Sequence, residues 1–444
     1  MARASTTTAR QRTTESKQAK LVMSALMACL LICSCTAMAA ETVTVDLAAD
    51  GGEILHRASG FLHGFSNDGQ LPPDRMIVPL KARLHRTRPG TTWAQAERMK
   101  NLGIQQQVVM SDGWGYGKDH PGDDGQWAKW EAFVVRMVQE AQARGLKPQW
   151  DIWNEPDHGF FWKRSPEQFN ETWRRAYLQI RQIDSHAVIV GPSWSNVHPG
   201  QSRFAAFIRF CKDNKVVPDH ICWHFPRDVV KEADDCRRLL KAENIQAKGL
   251  MVNEYCLAHE QYAGKTAWLI AQIERAKLDL SCHAIWGDEG TGNLDGILFD
   301  ARQAIPKGQW WAYDRYAALS GRLVSTTPST KIDLVASRDE HSKLVQVLLG
   351  NSGRIQGDVK LHFQGLDNAA YLREGNQVRV VIERILEDKG GAVTAVQTVV
   401  DAHQPIRDNA INVTIPWASD RDAFAVRLGS GKLRQQPAVS DAGN

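Results

Sequence analysis

Cysteine is scarce in this 444-residue chain: there are 8, and Cys29, Cys33 and Cys35 fall within the first forty residues. The remaining Cys211, Cys222, Cys236, Cys256 and Cys282 are odd in number, so at least one thiol is free or bonded between chains. Their spacing matches no zinc pattern. Cys222, Cys256 and Cys282 lie on or beside apolar runs and suit buried thiols, while a Cys211–Cys236 disulfide stays open. No cluster of metal-ligand type stands elsewhere, so neither metal nor cofactor is expected. No glycine-rich phosphate turn follows the first apolar run, which disfavours an open dinucleotide-binding sheet. No basic run survives beyond the N-terminal segment, which argues against nucleic acid or an acidic membrane surface as partner.

That N-terminal segment explains the apparent basicity. Arg3, Arg10, Arg12, Lys17 and Lys20 precede an uncharged apolar stretch from Leu21 to Cys35, and Ala37-Met38-Ala39 follows. Residues 1–40 read as a secretory signal cleaved near Ala39 or Ala40, which places the rest of the chain in the periplasm or outside the cell. The apolar stretch is short for a membrane span, so no stable insertion is expected after cleavage; an uncleaved anchor is the alternative, and Ile32-Cys33-Ser34-Cys35 fits a lipid-attachment box poorly. The segment holds five basic side chains and one acidic, which accounts for the whole net charge of +4.

Tryptophan is nearly absent from the last third. All but one of the 15 lie between Trp93 and Trp311, and Trp417 alone lies beyond. Composition therefore changes near residue 318, and a chain of this length suggests two domains. In 55–318, short apolar runs (Ala58–Ser66, Lys81–Arg88, Ile104–Ser111, Pro148–Pro156, Ala187–Ser195, Asp219–Pro226, Gly249–Cys256, Leu280–Gly287) alternate with helical patterns such as Gln126–Arg144, Pro166–Ile183, Gln201–Asn214, Val229–Glu243 and Thr266–Asp279. Eight βα repeats over this length predict an α/β fold, a (β/α)8 TIM barrel. From 319 to 429 the period falls to two, with Gly, Asn and Asp between runs, which predicts a C-terminal antiparallel β-sandwich. The stretch 41–54 reads as a strand that could complete that sandwich, and 430–444 as a disordered tail.

In such barrels the C-terminal ends of the strands carry the chemistry. Strand two offers Arg83 and His85, two apart and so on one face. Strand three ends near Asp112 and Trp114, strand four in Asn154-Glu155, strand six at His224, strand seven in Glu254-Tyr255, and strand eight at Trp286. Each has a structural alternative: Arg83 and His85 as a polar layer inside the barrel, His224 as a core histidine, Trp286 as packing, Asp112 as a cap. The glutamates are harder to explain away, because a charge at the end of an apolar strand is costly without a purpose. Two such carboxylates are the ingredients of glycoside hydrolysis.

Trp153-Asn154-Glu155-Pro156 ending strand four, with Glu254 ending strand seven, resembles the clan of retaining glycosidases built on (β/α)8 barrels. Arg83-Leu84-His85 and the appended sandwich look most like glycoside hydrolase family 39, which contains β-xylosidases, iduronidases and exopolysaccharide-cleaving enzymes. The resemblance implies Glu155 as general acid/base and Glu254 as nucleophile. It implies Asn154 on the sugar 2-hydroxyl, His85 and His224 lining the subsite, and Trp286 flooring it. Two departures stand out. Asn253 precedes the second glutamate where the family often has Thr or Ser, and Trp223-His224-Phe225-Pro226 supplies no tyrosine hydroxyl, a part left to Tyr255.

The expected function is a secreted retaining glycosidase, β-xylosidase-like, acting on plant-wall or microbial polysaccharide fragments. An endo-acting exopolysaccharide depolymerase with the same pair is one alternative. An inactive carbohydrate-binding protein is another.

Overall fold

The computed structural model describes residues 41–431, except 118, 285–289, 356 and 388. The expected signal, nearly all of the expected tail, Lys118 and Trp286 therefore lie outside the described residues.

Strand β1 (Thr42–Glu53) comes first in the described chain. Eight parallel strands then close a barrel: β2 (Gly60–Leu62), β3 (Leu84–Thr87), β4 (Gln105–Val109), β5 (Gln149–Asp151), β6 (Val188–Trp194), β7 (His220–His224), β8 (Gly249–Tyr255) and β9 (Leu280–His283). They pair in sequence order, and Gly60 of β2 faces Cys282 of β9 to shut the ring. Around and above it lie α1 (Pro89–Asn101), the short α2 (Met110–Trp114), α3 (Ala128–Ala143), α4 (Pro166–Ile183), α5 (Ser202–Asp213), α6 (Val229–Ala242) and α7 (Ala263–Arg275). A small hairpin, β10 (Leu298–Asp300) with β11 (Ile305–Pro306), leads into α8 (Gly308–Ala318).

Local chemistry explains these elements. Helix α4 starts where Ser165 Oγ accepts a bond from the Gln168 amide at 3.2 Å, with Pro166 in the first turn where its missing N–H costs nothing. Its buried side chains Phe169, Trp173, Ala176 and Ile180 fall on one face. Gly191 in β6 is a packing requirement, since a Cβ there would collide with the Trp173 ring.

The barrel interior is layered. Leu84, Val190, Cys222, Met251 and Cys282 form a dry floor, each apolar side chain contributing about 1.5–3 kcal/mol on burial. Above it lies a polar layer of Arg86, Gln107, Gln149, Asp151, Ser193 and Asn253, bonded to one another. The layer nearest the strand ends holds Asn154, Glu155, His224 and Glu254.

After the barrel come β12 (Arg322–Thr327), β13 (Ile332–Asp339), β14 (Leu344–Asn351), β15 (Val359–Gln364), β16 (Arg373–Glu374), β17 (Gln377–Ile385), β18 (Gln397–Pro405), β19 (Ala410–Ile415) and β20 (Ala423–Leu428). Their sheet runs β16-β17-β20-β14-β13-β12-β1-β15-β19, with β18 on β17, and encloses its own core around Val45, Leu334, Val347, Phe363, Val380 and Phe424. The sheet is not wholly antiparallel as the sequence suggests. Strand β1 pairs antiparallel with β12 but parallel with β15, because it fills the gap between those two from a distant part of the chain. Helix α7 packs on β13 and β14, the Arg275 guanidinium pairs with Asp333, and the Gly264 amide donates to Arg421 O at 2.9 Å.

Candidate active site

The strand ends converge on a cleft of about 330 Å³ lined by Leu62, His63, Arg86, Arg88, Asp112, Tyr116, Asn154, Phe160, Phe161 and Glu254. Glu155 and Glu254 are brought together here, both buried. One oxygen of each and one nitrogen of His224 lie within 4.8 Å of one another. His224 Nδ1 is 2.9 Å from Glu155 Oε1 and 3.5 Å from Glu254 Oε1. Burial pushes the imidazole down to about 4, so near neutral pH it is uncharged, and its Nδ1 shares a hydrogen bond with Glu155 Oε1.

The two carboxyls have different surroundings. Burial, helped by the charge of Asp157 and opposed by Arg86 and His158, pushes Glu155 up to about 7. Burial also pushes Glu254 up, against the pull of His224 and Arg86. Only Glu254 has a guanidinium on it: Arg86 Nη1 donates to its Oε1 at 2.5 Å. Against the cost of burial, Asp151 and Glu254 hold Arg86 above its ordinary value, so it stays charged. Glu254 Oε2 is buried with no partner among the described residues.

Backbone strain gathers at the same place. Glu155 has φ +44°, Ser193 +58°, Phe225 +42° and Cys256 +74°, all left-handed values at or just beyond barrel strand ends. The Glu155 amide donates to Ser193 O at 3.0 Å. Asp157 accepts from the amides of Ser195, Asn196 and Val197 at 3.0, 2.7 and 2.7 Å, which ties the loop after β5 to the loop after β6. Together these bonds hold Glu155 in its strained conformation.

Asn154 lines the cleft; its Oδ1 accepts from Arg86 Nη2 at 2.7 Å and its amide donates to Ser111 Oγ at 2.9 Å. Asp112 lines it too. It does not cap α2, and it accepts from the Tyr116 hydroxyl.

Other expectations are corrected. Arg83 precedes β3, at the opposite end of the barrel from the cleft, and its guanidinium donates to Leu55 O. His85 points outward and packs edge-on to the Phe65 ring at 4.6 Å, outside the cleft lining. The spacing of two did put them on one side, but it is the outer side; Arg86, one residue on, faces inward. Tyr255 is buried behind the barrel wall, donating to Ala58 O at 2.7 Å and bonded to Tyr313, so it supplies no hydroxyl to the glutamates. Trp114 packs edge-on to Trp130 and Phe133 and faces a separate hollow with Gly115, Asp119 and His120. Trp286 lies outside the described residues.

Comparison with known proteins fits this geometry. Residues 118–256, which carry Glu155, His224 and Glu254, match the family described as Glycosyl hydrolases family 39. A curated relative, 3-O-beta-L-arabinopyranosyl-alpha-L-arabinofuranosidase of Bifidobacterium pseudocatenulatum, is 24% identical over 82% of this chain. The chain has a TIM-barrel fold and resembles glycoside hydrolase family 39 over under a third of its length. It spans less than half of that relative, 45% of its length. Among solved structures, the chain resembles N2152 from Neocallimastix frontalis at 25% identity and TM-score 0.77, over 88% of this chain and 100% of that one. It shares its fold with the GH39 enzyme of Xanthomonas axonopodis pv. citri (13% identity, TM-score 0.62, 90% and 99% covered). The same holds for a monomeric beta-xylosidase of Caulobacter crescentus CB15 (12%, 0.61, 88% and 99%).

Several residues of the cleft carry little mark in the sequence pattern, namely His63, Arg86, Tyr116, Phe160 and Phe161, and the same is true of Asp151 buried beneath it. Asp151 has one signal, a charge inside an apolar run. Phe160-Phe161 has another, two aromatics just after the strand-four motif. His63 and Tyr116 lie in irregular segments, where no periodicity points to them.

Proposed function

We propose that the protein cleaves glycosides with net retention, using Glu155 as general acid/base and Glu254 as nucleophile. The observation that carries this reading is the carboxylate pair, with oxygens within 4.8 Å. Retaining pairs stand about 5–5.5 Å apart, whereas inverting pairs leave about 6.5–9.5 Å for a water.

In the first step the unengaged Oε2 of Glu254 attacks the anomeric carbon. The bond to the leaving oxygen breaks with its electron pair, and that oxygen takes the Glu155 proton. In the second, Glu155 removes a proton from water, the water oxygen bonds to the anomeric carbon, and the Glu254 carboxylate is released. A carboxyl raised to about 7 suits the acid. The Arg86 charge at 2.5 Å suits a carboxylate that must be ionised to attack. With its Oδ1 held by Arg86, Asn154 has its amino group left to donate to a sugar hydroxyl.

For substrate, we infer a pentosyl group on plant-wall or microbial polysaccharide fragments, β-xylosidase-like. The names of the curated relative and of the Caulobacter protein both point to pentoses, one an arabinofuranosidase and one a xylosidase. The basic-then-apolar pattern of residues 1–40 supports action outside the cytoplasm.

The test is an aryl glycoside panel (xyloside, arabinofuranoside, glucoside, uronide) on wild type, Glu155→Ala and Glu254→Ala. Activity on a pentoside, lost in Glu254→Ala and restored by azide as a glycosyl azide of inverted configuration, supports the assignment. An inverted product from wild type would sink it. Activity confined to polymers, with larger oligosaccharides released, would instead select the endo-acting reading.

A further inference from the structure

Neither Asp151 nor Asn253 has a part in that chemistry, yet the two meet in the layer beneath the glutamates. Asp151 is fully buried. Its Oδ2 accepts from Arg86 Nε at 3.1 Å and Nη2 at 2.8 Å, and from Asn253 Nδ2 at 3.0 Å. Ser193 Oγ lies 2.8 and 2.9 Å from its two oxygens. Every nitrogen of Arg86 is thereby engaged: Nε on Asp151, Nη2 on Asp151 and Asn154, and Nη1 on Glu254. One guanidinium answers two buried carboxylates.

We propose that Asp151 is a positioning residue for the reaction: it locks the plane of Arg86 so that Nη1 faces Glu254, and by sharing that charge it sets how strong a nucleophile Glu254 is. The inference rests on Glu254 being the nucleophile. Charge on a carboxylate is delocalised by each cation it binds, so an Arg86 owned by Glu254 alone would make that carboxylate easier to ionise and slower to attack. Sharing with Asp151 moderates both effects. Asn253 and Ser193 hold Asp151 as donors, which limits how much of Arg86 it takes. This gives a physical reason for an amide beside Glu254.

The charged and titratable groups around Glu254 are Arg86 on β3, His224 on β7, Glu155 beyond β5 and the Cys282 thiol on β9, with Asp151 and Asp112 reaching it through Arg86. Asp151 makes no hydrogen bond to Glu155 or His224, although its charge acts on His224. Its loss should therefore move the Glu254 limb of the pH profile further than the Glu155 limb, because Arg86 bonds Glu254 and not Glu155.

The experiment is the pH dependence of kcat/KM for Asp151→Asn, which keeps shape and removes charge, beside wild type. The acid limb, where Glu254 ionises, should move down by about one pH unit, while the basic limb moves by clearly less. Below the plateau the variant gains relative to its own maximum, and that maximum falls about tenfold because the nucleophile is weaker. A merely structural Asp151 would lower the whole profile without displacing either limb, which overturns the proposal. If Asp151→Asn does not fold, Ser193→Ala answers the same question: without that hydroxyl, Asp151 binds Arg86 more strongly and the acid limb moves up. An unmoved limb in folded Ser193→Ala is equally fatal. Azide rescue of Glu254→Ala is run alongside; its failure removes the nucleophile reading itself, whereas rescue with unmoved limbs removes only the part given to Asp151.

Discussion

Glu155 and Glu254 are the same side chain at the ends of two strands, and what separates them is one guanidinium. With a folded-state value of about 7, Glu155 is protonated below neutrality, so kcat/KM should fall about tenfold per pH unit above that value, as a pH–rate profile would show. The same displacement costs stability. A carboxyl whose value is raised on folding is neutral in both states at low pH; between its unfolded value, near 4.5, and about 7 the folded state loses ground. Glu155→Gln should thus stabilise the protein by about 3 kcal/mol at pH 8 and by little at pH 4, read from denaturant unfolding at both. A larger gain at pH 4 would contradict the sign. Both glutamates were legible in the sequence because a charge ending an apolar strand stands out. Arg86 was not, since nothing in Arg83-Leu84-His85-Arg86 says where β3 begins, and a shift of one residue exchanges the inner and outer faces.

Among the elements, the loops after β5 and β6 act as one piece because Asp157 gathers three amides of the second loop. Asp157→Asn should loosen that link and remove a negative charge that raises Glu155. The basic limb of the pH profile should then move down by about half a pH unit, with the acid limb unmoved; an upward shift would refute the link. The loop after β5 also carries Phe160, 61% exposed yet lining the cleft against Tyr116. Phe160→Ala should raise KM for oligosaccharides about tenfold, the loss of one apolar face against a sugar ring, and change KM for small aryl glycosides less. Strands were the most readable elements, as unbroken apolar runs. Helix α1 was not anticipated, because Pro89-Gly90-Thr91-Thr92 reads as a turn and its apolar face is narrow. Strand β12 was missed because its burial does not alternate.

At the scale of the whole molecule, barrel and sandwich meet through close backbone packing as well as through the Arg275–Asp333 and Arg315–Glu383 pairs. A Cβ on Gly350 of β14 would strike the backbone of α7 at Gly264, Ala267 and Trp268. Gly350→Ala should cost about 2 kcal/mol by forcing the two layers apart, measured as a lower denaturant midpoint. Because α7 belongs to the barrel and leans on β13 and β14, unfolding should be a single transition in calorimetry; two resolved transitions would show the layers to be independent. Which strand neighbours which was the least legible property, since pairing over such distances leaves no local mark. Strand β1 is the extreme case. It ends at Glu53, while its partners β12 and β15 begin at Arg322 and Val359. During synthesis at roughly 5–20 residues per second, the first strand made waits tens of seconds with both edges bare, and the sheet cannot be completed until nearly the last of the chain has emerged. A bystander able to mask a bare strand edge would thus raise the yield of native protein without altering the stability of the finished fold.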